Sequence, residues 1–428
     1  MTYFQVTPSK LSGTIKASAS KSHTLRAILF ASLAQGTSHV HDYLHSPDAT
    51  AMIAACQQLG AKITQTDKTI TILGNAGVLQ TPDNVIDCGN SGQVLRFIAA
   101  IAALMPDYVV LTGDHSIRYS RPAQPLIEGL NHLGVFCVST KNDGRAPLIV
   151  KGPLKPGKTQ LEGQDSQPVS ALLMACAFAT GESQIVVEHP GEKPWIEVTL
   201  DWFKRLGIAY KNNDYTHYTV AGGAKIAAFD YCVPGDFSSL AFPIAAALVT
   251  QSEICIENVD MSDVQGDKKI IPILQQMGAN IIINNAEKTL TVEKSPRLNG
   301  IAIDVNDMID AVPILAVIGC YAQGETVITG ARIARQKECD RLQAMTLELT
   351  KMGAKITEQK DGLIIQHAPL SGSELDSHHD HRIVMSLVVA GLAAAGQSKI
   401  DGVEWVKKSY PNFFADFTQL NAKLEITV

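Results

Sequence analysis

The chain is poor in aromatic residues, with only 12 Phe, 10 Tyr and 3 Trp among 428 positions. It has no apolar run approaching the roughly 18 residues a membrane span needs; Ile383–Ala395 is among the longest and is broken by Ser386. Its start, Met1-Thr-Tyr-Phe-Gln-Val6, lacks a basic segment followed by an apolar one, so no secretory signal is expected. None of the eight cysteines forms a C-x-x-C pair, and most sit among small apolar residues, as at Cys176 and Cys320. They are expected to be small core residues in a reducing compartment, the cytoplasm by default. Positive charge is not in excess either: the net charge is −6, which argues against a nucleic-acid binder. What is abundant is aliphatic: 46% of the chain is hydrophobic and 18% charged. That balance excludes a disordered chain, and the length exceeds one ordinary core, so two or three domains are expected.

The aliphatic residues are arranged periodically. The phrase Leu59-Gly-Ala-Lys-Ile63 returns as Leu133-Gly-Val-Phe-Cys137, Leu206-Gly-Ile-Ala-Tyr210, Met277-Gly-Ala-Asn-Ile281 and Met352-Gly-Ala-Lys-Ile356, with a weaker sixth copy at Leu420-Asn-Ala-Lys-Leu424. The copies recur roughly every 70 residues. Each closes a helix-like stretch, because glycine accepts the left-handed conformation past a helix end, and each opens an alternating strand. A second phrase shares the period: a polar start followed by a nearly all-apolar helix, beginning near Ser20, Asn90, Asp165, Asp236, Met308 and Asp380. A helix apolar on every side is buried. Six copies predict two bundles of three buried helices wrapped by sheets and outer helices.

Ser and Asp at these starts are ordinary caps. Capping does not explain the cations gathered there: Lys21, Arg26, Arg96, Arg341, Arg382 and Lys408 lie at or near the starts. Helix N-termini carry unpaired N–H groups and partial positive charge, so a set of them dressed with cations suits a small, multiply anionic ligand. Ser20-Lys21-Ser22 lacks the glycines of a phosphate-binding loop, and Ser18-Ala-Ser-Lys21 has no K-T-G partner. His378-His-Asp-His381 admits a metal site, although its spacing fits no familiar one and Asp380 suits a helix cap. Asp310, alone in an apolar stretch, is either a cap or a working carboxylate. Lys337-Glu-Cys-Asp-Arg341 is expected at the start of the helix that ends at Met352.

Together these stretches resemble the enolpyruvyl transferases, in particular their shikimate-pathway branch, over essentially the whole chain. The resemblance is carried by Ser20-Lys-Ser-His-Thr-Leu-Arg26, Gly89-Asn-Ser-Gly92 with Arg96, Arg121-Pro122, Asp165-Ser-Gln167, Lys193-Pro-Trp195, Gly235-Asp-Phe-Ser-Ser239, Gln265-Gly-Asp267, Asp310, Lys337-Glu-Cys-Asp-Arg341, Asp380-His-Arg382 and Lys408. It implies a two-domain inside-out α/β barrel of six βαβαββ-type repeats, three per domain, with the domains closing on ligand. The N-terminal strand, residues 1–19, is expected to join residues 236–428; residues 20–235 form the other domain, with crossings near 19–21 and 234–236. The implied reaction adds the 5-hydroxyl of shikimate 3-phosphate to C2 of phosphoenolpyruvate and then expels phosphate, with no metal or redox cofactor. Carried over by position, Lys21, Gly92, Arg121, Gln167, Arg341, Arg382 and Lys408 match phosphoenolpyruvate contacts. Lys21, Ser22, Arg26, Ser166, Gln167, Asp310 and Lys337 match acceptor contacts, Arg26 at the shikimate carboxylate and Lys337 at the phosphate. Asp310 matches the base on the acceptor hydroxyl, Glu338 a proton-transfer group near the methylene carbon, and Lys21 and Lys408 possible acids. A monomer in the cytoplasm, without nucleic-acid or membrane partners and open to inhibition by glyphosate, is also implied.

Three positions depart from the family pattern: Asp165 and Glu192 stand where many members have serine, and Ile333 where some have asparagine. A carboxylate beside a phosphate is repulsive unless a cation intervenes, for which Lys193 and Lys337 are candidates. Rival readings are the sister branch that uses UDP-N-acetylglucosamine, disfavoured because the Gly113–Pro122 loop has no cysteine and Ser22 replaces the usual Asn; the RNA terminal-phosphate cyclases; and an inactive ligand-binding relative, for which Asp310 and Glu338 would be superfluous.

Overall fold

The computed structural model describes residues 2–428. They fold as two units, one continuous (Ser20–Val233) and one split (Met1–Ala19 with Pro234–Val428). The second crossing thus falls at 233–234, two residues before the 235–236 boundary that the resemblance implies. Gly235 belongs to the split unit because it bridges Ala19 and packs on Asn258: a Cβ there would clash with the Asn258 carbonyl oxygen.

The continuous unit runs through α1 (Lys21–Leu33), α2 (Pro47–Gln58), α3 (Gly92–Ala102), the short α4 (His115–Tyr119), α5 (Gln124–His132), α6 (Ser166–Phe178) and α7 (Lys193–Leu206). The split unit follows with α8 (Phe237–Val249), α9 (Ile270–Gln276), α10 (Val312–Tyr321), α11 (Arg341–Lys351), α12 (His381–Ala393) and α13 (Phe413–Gln419). Helices α1, α3, α6, α8, α10 and α12 are the apolar ones, buried along almost their whole lengths. The expected buried set is therefore present. In the split unit α8, α10 and α12 pack on one another; in the continuous unit α3 lies along α6 while α1 seats mainly on α2 and α7. Burying each Leu, Val, Ile or Phe side chain contributes about 1.5–3 kcal/mol, so Leu387→Ala in the middle of α12 should cost about 2–5 kcal/mol.

Each unit carries three four-stranded sheets of one design. In the first, Asp230–Cys232 runs parallel to Thr37–His41, which pairs antiparallel with Thr69–Leu73, which pairs antiparallel with Lys62–Gln65. Strand Asp230–Cys232 comes from the far end of its unit, just before the chain crosses over. The split unit has a matching exchange: Ser12–Lys16 lies parallel to Glu253–Glu257, and the chain then crosses to begin α1. The weak sixth repeat ends at the C-terminus one strand short. Tyr3–Thr7 fills the gap, pairing antiparallel with both Ser398–Asp401 and Lys423–Thr427.

Five of the six buried helices have a side-chain cap: Ser20, Ser91, Asp165, Asp236 and Asp380 each accept a hydrogen bond from the first turn. The α3 cap is Ser91, one residue past Asn90. The fifth helix differs: a 3-10 turn, Ile309–Ala311, leads into α10 without a side-chain cap, so Asp310 is not a cap. Among the described residues no helix is long and apolar enough to cross a membrane. All eight cysteines are free, but only five are buried; Cys232 lies exposed on an edge strand, and Cys255 and Cys339 are half-buried. Burial pushes the Cys56, Cys137, Cys176 and Cys320 thiols up to about 12.

Candidate active site

In the continuous unit the starts of α1, α3 and α6 each hold candidate groups. Lys21, the first residue of α1, has its Nζ 3.6 Å from Asp48 Oδ2. Asp48 is buried in the first turn of α2, and the same oxygen accepts the Ser91 hydroxyl at 3.0 Å. One carboxylate thus ties the lysine to the cap of α3. Ser22 Oγ accepts from Gln93 Nε2 at 3.4 Å. One turn further along, Arg26 is 1% exposed and lies over the Phe97 ring. It donates to Thr199 Oγ1 at 3.0 Å and to the Ser22 and Trp195 carbonyls at 3.2 and 3.3 Å. Among the described residues no carboxylate pairs with it, and burial pulls its pKa down to about 9.

Gly92 opens α3 in a crowded place. A Cβ there would lie 2.7 Å from Arg96 Nη1, 3.0 Å from Arg121 Nη1 and 3.3 Å from Gln167 Oε1. Arg96 donates to Gln167 Oε1 at 2.7 Å and to the Pro122 carbonyl at 2.6 Å, and it pairs with Asp165 Oδ2 at 3.2 Å. Burial lowers its pKa; Asp165 and Glu192 oppose that and neighbouring Arg121 adds to it. Gly92, Arg121 and Gln167 are thus brought together, with Arg96, not assigned a contact in the sequence reading, at their centre. At α6, Asp165 accepts the Gln167 N–H at 3.0 Å, while Glu192 Oε2 accepts both the N–H and the hydroxyl of Ser166 at 3.1 Å. Lys193 does not compensate Glu192: its ammonium lies over the Tyr215 ring, 5.3 Å from the centroid, while Glu192 turns onto Ser166.

In the split unit the candidates form one ion-paired network. Asp310 Oδ1 accepts from Arg341 Nη1 at 2.8 Å, and Oδ2 accepts from Arg382 Nη2 at 2.9 Å. Arg341 also donates to Asp380 Oδ2 and Glu338 Oε2, both at 2.8 Å. Lys408 Nζ is 2.8 Å from Glu338 Oε1. Burial alone would lower the Arg341 pKa, but Asp380, Glu338 and Asp310 together hold it well above its ordinary value. Arg382 is 3% exposed, and its Nε and Nη1 have no hydrogen-bond partner. Asp267, buried and bonded by the Ser238 hydroxyl, is pushed up to about 7 by burial and then by Asp310, with Arg382 opposing.

Several local expectations change. Helix α11 begins at Arg341 under an Asp340 cap, so Lys337 and Glu338 lie in the bend before it rather than in its first turn. Lys408 closes a 3-10 turn instead of opening a helix. Ile333 is buried in the split unit's apolar core, which accounts for an apolar residue there. The four residues 378–381 do not converge on a metal. His378 Nε2 bonds Glu348 Oε1 at 2.9 Å, His379 meets the Trp405 ring edge-on, and Asp380 caps α12. Ligand atoms of Glu338, Asp380 and His381 do lie within 4.8 Å of one another, but both carboxylates already pair with Arg341. The sequence reading missed Asp48 and Glu348; the only sequence signal for Asp48 is its place in the first turn after Ser46-Pro47.

Residues 6–417 match the sequence model of the family described as EPSP synthase (3-phosphoshikimate 1-carboxyvinyltransferase). A protein of that name from Chlamydia caviae is 41% identical over 99% of this chain and 95% of its own length. One from Acetivibrio thermocellus is 42% identical over 96% of each chain. Among solved structures, an EPSP synthase from Acinetobacter baumannii superposes with a TM-score of 0.84 at 30% identity, covering the whole of both chains. The enolpyruvyl transferase NikO from Streptomyces tendae, 16% identical with a TM-score of 0.80 over 100% of this chain and 99% of its own, shares the fold.

Proposed function

This chain belongs to the EPSP synthase family, and from that premise we propose how its own residues carry the reaction. It is an enzyme that transfers the enolpyruvyl group of phosphoenolpyruvate to the 5-hydroxyl of shikimate 3-phosphate, a step of aromatic amino-acid biosynthesis.

The addition forms a bond from the acceptor oxygen to C2 and places a proton on C3; the elimination removes a proton from C3 and breaks the C2–O bond to phosphate. Asp310 takes the proton from the acceptor hydroxyl. Its two oxygens lie against Arg341 and Arg382, which fix its direction. Glu338 exchanges the proton at C3, steadied by Arg341 and Lys408, and Lys21 or Lys408 assists departure of the phosphate. Lys21, Gly92, Arg121, Gln167, Arg341, Arg382 and Lys408 hold phosphoenolpyruvate. Lys21, Ser22, Arg26, Ser166, Gln167, Asp310 and Lys337 hold the acceptor, Arg26 against its carboxylate.

The observation that carries this assignment is Arg382: a buried guanidinium with its Nη2 on the proposed base and its Nε and Nη1 donors without a partner. A buried donor left unmade is costly, and carboxylate or phosphate oxygens at these nitrogens remove the cost. Gly92 supports it because the missing Cβ lets Arg96, Arg121 and Gln167 converge on the start of α3. Glyphosate competes with phosphoenolpyruvate for these same groups. We place the enzyme in the cytoplasm as a monomer. The test is phosphate release from phosphoenolpyruvate with shikimate 3-phosphate or UDP-N-acetylglucosamine as acceptor: release only with the former is expected, and release only with the latter overturns the assignment.

A further inference from the structure

The start of α6 is assigned above to the acceptor through Ser166, yet its donors are already in use. The Ser166 N–H and hydroxyl each have one hydrogen, and both go to Glu192 Oε2 at 3.1 Å. The Gln167 N–H goes to Asp165. Pro168, the third residue of the helix, has no N–H. While Glu192 stays in place a ligand phosphate therefore finds no backbone N–H or hydroxyl hydrogen to accept on these first three residues, only the side-chain amide of Gln167.

Nothing about its own helix explains Glu192. It occupies the cap position of α7, but its side chain makes no capping bond there. Its backbone is left-handed, φ 46° and ψ 37°, a conformation that side chains other than Asn and Gly seldom adopt. The turn that holds it is closely braced: Gly191 N–H donates to the Gly163 carbonyl at 2.9 Å, and a Cβ on Gly191 would meet the Gln164 carbonyl oxygen at 2.7 Å. The side chain is only 2% exposed. A carboxylate is thus presented, from a strained turn, to the donors that an incoming phosphate would use. Two anions cannot share those donors.

We infer that Glu192 is a built-in occupant of the acceptor's phosphate seat, an internal competitor that shikimate 3-phosphate displaces from Ser166 on binding and that thereby sets acceptor affinity. This rests on the acceptor assignment above. Asp165, whose bond is to the next N–H, caps the helix and stays in place. Glu192 is accordingly a specificity-determining residue that acts by withholding Ser166 rather than by touching the reacting atoms.

The consequence is opposite in sign to that of a residue that merely supports the site. Glu192→Gln keeps the shape and removes the charge; Glu192→Ser vacates the seat and adds a hydroxyl. In phosphate-free buffer, calorimetric titration with shikimate 3-phosphate should show at least tenfold tighter binding to Glu192→Gln than to the parent, and tighter still to Glu192→Ser. In turnover the effect should fall on the KM for the acceptor, with kcat and the KM for phosphoenolpyruvate moving far less. Inorganic phosphate, titrated alone, should follow the same order. Binding that is equal or weaker in either variant overturns the inference. A parent enzyme that ignores shikimate 3-phosphate, alongside variants that still bind inorganic phosphate more tightly, would instead overturn the acceptor assignment and leave the occupied seat standing.

Discussion

The two units bury arginines in opposite ways. In the split unit Arg341 is surrounded by Asp310, Glu338 and Asp380, and those carboxylates more than repay its burial. In the continuous unit Arg26 has a hydroxyl, two carbonyls and a ring for company, and burial pulls its pKa down. A cation matched by its own protein organises carboxylates and holds them in fixed directions for proton transfer. A buried cation without a matching anion is costly in the empty protein and is relieved when a ligand brings one. The split unit's network therefore suits proton transfer and Arg26 suits anion capture. The division is not complete, since Arg96 of the continuous unit pairs with Asp165 and Arg382 keeps unpartnered Nε and Nη1 donors within the network.

Five substitutions break or sharpen this contrast. The largest effect belongs to Asp310→Asn, which keeps the shape and removes the proposed base. It should lower kcat by about 10²–10⁴-fold while acceptor binding, followed by calorimetry, changes far less. Next come matched arginine deletions. Arg341→Met removes the cation shared by three carboxylates, leaving Asp310 only Arg382 and Glu338 only Lys408, and should destabilise the empty protein by about 3–5 kcal/mol in denaturant titration. Arg26→Met strands none and should change stability by about 1 kcal/mol or less, yet raise the acceptor KM steeply. If the two lose similar stability, the contrast fails.

A third effect comes from Asp267, raised from an ordinary value of 3.8 to about 7 chiefly by burial. Its native state holds the proton more tightly than the unfolded chain, so its contribution to stability is full below about pH 4 and is lost as pH rises towards 7. Asp267→Asn should flatten that part of the melting-temperature profile, a difference on the order of a few kcal/mol by pH 8. The smallest effect is expected of Gly92→Ala. The new methyl meets the ends of flexible side chains, so folding should survive, but the displaced Arg96 and Arg121 should raise the KM for phosphoenolpyruvate about tenfold in steady-state assays.

Much of the repeat could be read from the chain because it rests on local rules. The glycine after each helix, the Ser or Asp before it and the unbroken apolar run each leave a mark within a few residues. The completion of the sixth sheet by Tyr3–Thr7 leaves none, because its partners lie some 400 residues away. The candidate site divides the same way. Cations at helix starts were visible, and resemblance supplied their roles. Asp48, which ties Lys21 to the cap of α3, is an unremarked acid in the sequence because its two partners belong to other helices. Glu192 stood out as a departure, but its left-handed backbone and its grip on Ser166 depend on the loops around Gly163 and Gly191. Pairing across such distances is decided by packing, which single-residue preferences do not encode.

The division of labour is tested most directly by running turnover in deuterated water and following the methylene hydrogens of the product by NMR. Addition followed by elimination passes C3 through a methyl group, so the parent enzyme should wash deuterium into that methylene. Glu338→Gln should bind both substrates and lose most of the wash-in, whereas Arg26→Met at saturating acceptor should retain it. Wash-in at the parent rate in Glu338→Gln, or its loss in Arg26→Met under saturation, would contradict the account.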